Sequence, residues 1–378
     1  MLRGARVSDG SVGVVVNVTI EKSALVDALG RAVGACANGP VPIHRHVLLE
    51  TVADRLSLTG TDTKITLQTS VEAVVEAAGA TAAPGRELLS MVRLLPAGDV
   101  TLSMDGHAQL GARLTVACGG ATNVVSCLAA SDFQLPKDEV HPVSSIPGDT
   151  LAELLSLSLP FTDKPGGGRD FDTVWLHKTA DGVRAVATDG SNGLMLPREV
   201  AGWELPDLAL PAVACSELAK FAGGEDWSVG ATESVVCFRR EHDVVTYTMM
   251  AVPRPDIDAF VPTTWRTRVF VDRSAIVGAL KRAGGILEGR HTRVRLVLTP
   301  GEIRVSSKSD ASTFGETVEA ETEGEDLTIE TNYRALLRGL AIHDAEQAEL
   351  KFGESTIPIV FAGKGADRAV VSPMHLEG

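Results

Sequence analysis

The stretch EKSALVDALGRAVGACA (residues 21–37), followed by LSLTGTDTKITLQT (residues 56–69), reads as a helix and then a strand that ends near a Thr and an Asp. The same order returns twice. The second copy is GDTLAELLSLSLPFT (residues 148–162) with VRAVATDGSNGLML (residues 183–196). The third is DRSAIVGALKRAGGI (residues 272–286) with IRVSSKSDASTFGE (residues 303–316). Each copy goes on to a second helical stretch and a hairpin, opened by GDVTLSMDG from Gly98, EDWSVGATE from Glu225 and EQAELKFGE from Glu346. A repeat of about 120 residues is a small domain, too long for a solenoid turn.

Periodicity fills in the elements. Ala24, Leu25, Leu29, Ala32 and Val33 recur with helical spacing. PGRELLSMVRLL (residues 84–95) opens on a proline and carries Leu88, Leu89, Val92 and Leu95 on one face. The matching second helix of the next copy has Ser216 as its expected N-cap and Gly223 as its stop, and that of the third has Asn332 as its cap. Val100, Leu102 and Met104 alternate before an Asp105-Gly106 turn, and RVRLVL (residues 293–298) alternates base and aliphatic. The expectation is an α+β chain of three similar domains, each with two helices packed on antiparallel sheet. Two proline-bearing segments, DFQLPKDEVHP from Asp132 and RPDIDAFVPTT from Arg254, mark the boundaries. They divide the chain into an N-terminal extension (1–14) and domains at 15–139, 140–263 and 264–378.

With 44% hydrophobic, 22% charged and only 4% aromatic residues among 378, the chain reads as globular with aliphatic cores. A net charge of −14 argues against a tight phosphate grip, although bases can still gather on one face. Cys36, Cys118, Cys127, Cys215 and Cys237 are scattered and odd in number, which points to reduced, buried thiols in the cytoplasm. No run of apolar residues is long enough for a membrane helix.

Several short matches, in order, resemble the bacterial DNA polymerase III beta subunit, the sliding clamp. They are LSLTGTD from Leu56, ATDG from Ala187, RPDIDAFVP from Arg254, VRL near Val294, the N-Y-x-x-L-L run from Asn332, and the ending VVSPMHL from Val370. Together they span nearly the whole chain after the extension. The resemblance implies a head-to-tail homodimer whose six domains close a ring around duplex DNA, with helices lining the hole. A ring that slides needs no tight phosphate clamp, which reconciles the acidic charge with work on DNA. The implied partners are double-stranded DNA, the polymerase III alpha subunit, the clamp loader and other proteins with a clamp-binding motif. The implied setting is the nucleoid in the cytoplasm.

Carried over position by position, the family's peptide pocket takes Phe171, Thr188, Gly190 and Gly193 from the second domain. Pro255, Ala259 and Phe260 come from the linker. Thr356, Pro358 and Val370 come from the third domain, with Ser372, Pro373, Met374, His375 and Leu376 at the terminus. An apolar cleft of this kind receives apolar anchors from a peptide. Four departures remodel it. The family's His-Arg-Leu after ATDG is Ser191-Asn192-Gly193, its Met-Pro-Met-Arg ending is Ser372-Pro373-Met374-His375, Ala259 replaces a base, and Phe260 replaces a smaller aliphatic residue. For the dimer seam the resemblance implies Ile286 and Leu287 against Asn123 and Val125. The DNA-facing bases it suggests are Lys22, Arg31, Arg86, Arg93, Lys164, Arg169, Lys281, Arg282, Arg334 and Arg338.

Catalytic motifs are missing from the sequence. Gly190–Gly193 lacks the spacing of a nucleophile elbow, and there is no phosphate loop or dinucleotide fingerprint. His44 and His46, expected to alternate on a strand, have no third ligand near. The run from Glu321 to Asp326 reads as a solvated loop, and Asp62 and Asp189 as turn braces. The chain is therefore expected to be a non-catalytic processivity subunit without cofactor or metal. The alternative is a clamp-fold paralogue acting in repair, on a mobile element or in inhibitor resistance.

Overall fold

The computed structural model describes residues 16–37, 39, 41–104, 112–135, 140–164, 171–289 and 291–374. The N-terminal extension, the Asp105-Gly106 turn, Arg169, His375 and Leu376 lie outside these residues. One order of elements occurs three times: a helix, a strand meander, a second helix, a second meander. The first set is β1 (Asn17–Glu21), α1 (Lys22–Gly34), β2 (His46–Val52), β3 (Arg55–Thr61), β4 (Ile65–Glu72), β5 (Val74–Ala77), β6 (Ala80–Pro84), α2 (Gly85–Leu94), β7 (Asp99–Met104), β8 (Arg113–Cys118) and β9 (Ala121–Ser126). The second is β10 (Ser144–Ile146), α3 (Gly148–Ser158), β11 (Thr173–Lys178), β12 (Gly182–Thr188), β13 (Asn192–Glu199), β14 (Leu208–Pro211), α4 (Ala212–Ala219), β15 (Trp227–Ala231), β16 (Val235–Arg239) and β17 (Asp243–Thr248). The third is β18 (Thr267–Asp272), α5 (Arg273–Gly285), β19 (Arg293–Thr299), β20 (Glu302–Lys308), β21 (Thr313–Gly324), β22 (Leu327–Asn332), α6 (Tyr333–Leu340), β23 (Gln347–Phe352), β24 (Ile359–Ala362), β25 (Arg368–Val371) and β26 (Pro373–Met374).

The chain forms two compact units, one of residues 1–142 and 227–248, the other of 143–226 and 249–378. In the first unit one sheet runs β5-β1-β7-β8-β9, and another includes β15-β16-β17-β4-β3-β2-β6. The second unit holds a continuous sheet ordered β14-β11-β12-β13-β25-β24-β23-β18-β21-β20-β19-β22-β26.

Helix faces explain the cores. In α1, Leu25, Ala28, Leu29 and Ala32 are buried, and α5 buries Ile276, Ala279, Leu280 and Ala283 at the same spacing. Both helices are capped by an acid: Glu21 accepts from the Ala24 amide at 2.8 Å, and Asp272 from the Ala275 amide at 2.7 Å. Asn332 caps α6 through the Arg334 amide at 2.9 Å, as expected. Ser216 does not cap α4. That helix starts at Ala212 behind Pro211 and ends at Ala219, before Gly223. Proline supplies the entry geometry that the sequence reading assigned to serine.

Two further expectations are corrected. Glu321 and Glu323 belong to β21, not a loop. They lie opposite Phe270 and Arg268 of β18, and Arg268 pairs with Glu323 at 3.2 Å. His44 sits in a short 3-10 turn (Pro42–Arg45), not on a strand shared with His46. All five cysteines are buried thiols, and burial pushes Cys36 up to about 12.

Within each unit, strands from successive repeats pair edge to edge. β17 joins β4 with Tyr247 opposite Ile65 and Asp243 opposite Thr69. β25 joins β13 with Val371 opposite Asn192 and Arg368 opposite Met195.

Candidate functional site

Between β12 and β13 the chain turns through Thr188–Asn192, and this turn organises one side of the expected cleft. Thr188 Oγ1 donates to the Asn192 carbonyl at 2.6 Å and accepts from the Gly190 amide at 3.0 Å. Asp189 Oδ1 accepts from the Ser191 and Asn192 amides at 3.0 and 2.7 Å. Asp62 braces the equivalent turn before β4, accepting from the Lys64 and Ile65 amides at 2.9 and 2.8 Å. Both turns need a positive φ, met by Gly190 at 82° and by Thr63 at 79°. The two carboxylates are turn braces, as the repeat suggested.

The positions that depart from the family pattern contact one another. Ser372 donates its hydroxyl to the Ser191 carbonyl and its amide to Asn192 Oδ1 at 3.3 Å. Asn192 Nδ2 donates to Asp189 Oδ2 at 2.9 Å. Thr331 Oγ1 donates to the Ser372 carbonyl at 3.0 Å, and Pro373 and Met374 pair with Thr331 and Glu330. Glu330 is nearly buried and is held by Arg293 and Arg295, both at 2.6 Å. The terminal strand is thus fastened to both the turn and β22. A cavity of about 600 Å³ opens here, lined among others by Lys164, Ser191, Asn332, Ser372, Pro373 and Met374.

The apolar half of the cleft lies along the same sheet. Trp175, Val186, Met195, Ala209, Ile257, Val360 and Val370 form a buried cluster, with Phe171, Val261 and Trp265 packed on it. A second cavity, of about 390 Å³, is bounded by Met195, Pro197, Val261, the Arg184–Asp258 pair (3.0 Å) and Arg368. Ile257 was not among the sequence-derived pocket residues. Its signal was available: a linker position, usually Tyr in the family pattern, two residues after the expected Pro255. Phe260 does not join the cluster. It ends a 3-10 turn (Asp258–Phe260) and is 64% exposed. Ala259 shares that turn and is exposed. Thr356 and Pro358 lie in the segment between β23 and β24 and are in neither the cluster nor the two cavities.

The expected seam residues fall on edges. β9 ends its sheet, with Asn123 half-buried, Val125 buried in the core and the intervening Val124 53% exposed. Ile286 and Leu287 are half-buried at the C-terminal end of α5.

Of the suggested DNA-facing bases, Arg86, Arg93, Lys164 and Lys281 are exposed. Others are engaged. Lys22 donates to the Leu95 carbonyl, Arg282 pairs with Glu316, and Arg334 reaches Tyr333 Oη at 3.1 Å. Arg31 pairs with buried Asp243 at 2.9 Å. Arg338 pairs with Asp189 at 3.1 Å, donates to the Pro160 carbonyl and lies over the Phe161 ring at 5.5 Å. It braces the pocket turn. Among the described residues no cluster of His, Cys, Asp and Glu could hold a metal, and no helix is long and apolar enough to cross a membrane.

A family model for the DNA polymerase III beta subunit N-terminal domain matches residues 16–137, and one for its C-terminal domain matches residues 259–376. The chain belongs to the DNA polymerase III beta subunit family, the sliding clamps. The beta sliding clamp of Streptomyces coelicolor is 27% identical, over 96% of this chain and all of that protein. The C. crescentus clamp structure superposes with a TM-score of 0.88 at 24% identity, covering 97% of this chain and all of that one. The Bartonella birtlesii clamp, crystallised bound to griselimycin, gives 0.88 at 22% identity, covering 96% of this chain and all of that one. Among the described residues, six helices with antiparallel sheet make up the clamp fold.

Proposed function

We propose that this chain is the DNA sliding clamp itself: a ring-shaped homodimer that encircles duplex DNA and tethers the replicative polymerase and other partners. It acts without catalysis, in the cytoplasm at the nucleoid. Near-complete coverage of curated sliding clamps favours this over a clamp-fold paralogue. The cleft around Ser191, Asn192, Met195, Val370 and Ser372 is where partner peptides of the polymerase alpha subunit and the clamp loader dock. The exposed bases on the helices face the DNA.

The pattern of strand pairing carries the ring. In both internal junctions a late strand of one repeat, β17 or β25, adds to the strand that follows the braced turn of the repeat before it. Two such edges are left over. Among the described residues β9 has only β8 beside it, and residues 313–319 of β21 have only β20. A second copy satisfies both by the same rule. Counting from the braced turns and the hairpins fixes the register. Tyr247 opposite Ile65 and Val371 opposite Asn192 correspond to Val125 opposite Ser312 of the partner subunit, because Ser309 and Ser312 close the turn before β21 as Asp62 and Ile65 close the turn before β4. Val124 then meets the partner subunit's Thr313, and Asn123 meets the partner subunit's Phe314. Ile286 and Leu287 close the seam from the end of α5.

Loading onto nicked circular DNA tests this. The protein should stay on the circle through a high-salt wash and leave when the circle is cut, because topology resists salt and phosphate contacts do not. The Ile286→Ala, Leu287→Ala double variant should sediment as monomer and lose retention. Equal loss from circular and linear DNA, or a double variant that stays dimeric and retained, would count against the ring or this seam.

A further inference from the structure

Gly193 stands where the family pattern has a leucine, on the apolar wall of the cleft. The room that side chain would take is filled. A Cβ built on Gly193 would come within 2.9 Å of Ile257 Cγ2, 3.2 Å of Ile257 Cδ1 and 3.1 Å of Val370 Cγ2. The first is closer than a Cβ can come, so Ile257 would have to shift, and the other two are tight enough that Ile257 and Val370 would have to give by a few tenths of an ångström. Ile257 is 4% exposed and packs into the cluster of Trp175, Val186, Met195 and Val370. It therefore belongs to the cleft wall, although it arrives from the linker. The segment that carries it is held from both sides. Arg254 pairs with Asp207 at 3.3 Å, Asp258 pairs with Arg184 at 3.0 Å, and the Phe260 amide donates to the Ile257 carbonyl at 2.9 Å.

We propose that Ile257 is a built-in plug that sets how deep a partner's apolar anchor can enter, making it the specificity-determining residue of the cleft. This rests on the peptide-binding reading given above. The plug occupies the space that the change to glycine vacates. The nearby cavity, bordered by Met195, Pro197 and Val261 with Arg184 and Asp258 at its edge, is left for the partner. A partner with one modest apolar side chain and polar neighbours fits this arrangement. A bulky adjacent pair of anchors must displace Ile257, whose return to water opposes binding. In the polar half of the cleft Ser191, Asn192 and Ser372 stand where the family pattern has His, Arg and Met, and they bond to one another.

The test uses the full chain and two labelled, acetylated peptides that differ only in ending Leu-Phe or Ala-Ala. Affinity is read by fluorescence anisotropy, and the methyl NMR signals of Met195 and Met374 locate the bound peptide. Ile257→Ala should tighten the Leu-Phe peptide about tenfold and leave the Ala-Ala peptide unchanged. Ile257→Val, a milder change that keeps the core filled, should give a smaller gain in the same direction. A Leu-Phe peptide that shifts Met195 but binds wild type and both variants equally overturns the plug and leaves the cleft reading standing. A Leu-Phe peptide that moves neither methyl in any form overturns the cleft reading and the plug with it.

Discussion

Asn192 shows how one residue can reset a site. Its side-chain Nδ2 donates to Asp189, and its side-chain Oδ1 accepts from the Ser372 amide, so a position that is Arg in the family pattern becomes a staple between turn and terminal strand. The sequence displayed Ser191, Asn192, Gly193 and Ser372 as separate departures. Their mutual contacts were not legible, because residues 192 and 372 meet only through the β13–β25 pairing. His343 is a second case. It is 5% exposed, lies edge-on to Phe361 at 6.4 Å, and its Nε2 has no hydrogen-bond partner among the described residues. Burial and then the nearby Arg273 charge lower its pKa below the ordinary 6.5, against smaller opposing effects of Asp344 and Glu349. The unfolded chain then binds more protons, so stability is unaffected above the ordinary value and is lost as pH falls below it towards the folded value. His343→Leu should flatten the fall in melting temperature between about pH 7.5 and 5.5, measured by calorimetry against wild type. An unchanged slope would exclude His343 as its source.

At the scale of elements, helix pairs recur because the repeat does, but their spacing is set by single residues. α5 and α6 approach where Gly284 faces the ring of Tyr333. A Cβ at 284 would lie 2.3 Å from Tyr333 Cε2. Gly284→Ala should therefore push the helices apart and cost about 1–3 kcal/mol in chemical denaturation, with much of it recovered on Tyr333→Ala. Additive losses would show that the two do not share the contact. The helices themselves were readable from their apolar spacing, whereas the acidic caps at Glu21 and Asp272 emerged in the structure. The acidic run at Glu321 was not. Pairing of β21 with β18, across from Arg268, makes a strand of residues whose local preference is for solvent.

Across the whole molecule, the internal junctions and the proposed seam differ in one respect. At both internal junctions a buried acid stands at the start of the joining strand, Asp243 opening β17 and Asp367 just before β25. Asp243 is held by Arg31 at 2.9 Å and Arg240 at 2.8 Å, and Asp367 is held by Arg198, which also grips Glu153 at 2.9 Å. Burial pulls the Asp243 carboxyl up, but Thr69, Arg240 and Arg31 outweigh it and hold the group below its usual range. At the corresponding place in β9 stands Ala121. The seam thus lacks the lock that fixes the other joins, and it is the join suited to opening. Arg282 occupies in α5 the place of Arg31 in α1 and is paired with half-buried Glu316. Ala121→Lys, set against Glu316 of the partner subunit, should tighten the dimer about tenfold by sedimentation equilibrium and slow its opening. A weaker dimer would refute the register.

The sequence by itself determined the threefold order of elements, the helix faces and the braced turns, since each rests on neighbours within a few residues and on the period of apolar side chains. Only the tertiary structure decided what meets across the sheets: Ile257 against Gly193, Ser372 against Asn192, Arg338 on Asp189, and the two open edges at β9 and β21. Those contacts join residues as far as 180 positions apart. Strand register, which the spacing of one segment does not encode, is what brings them together.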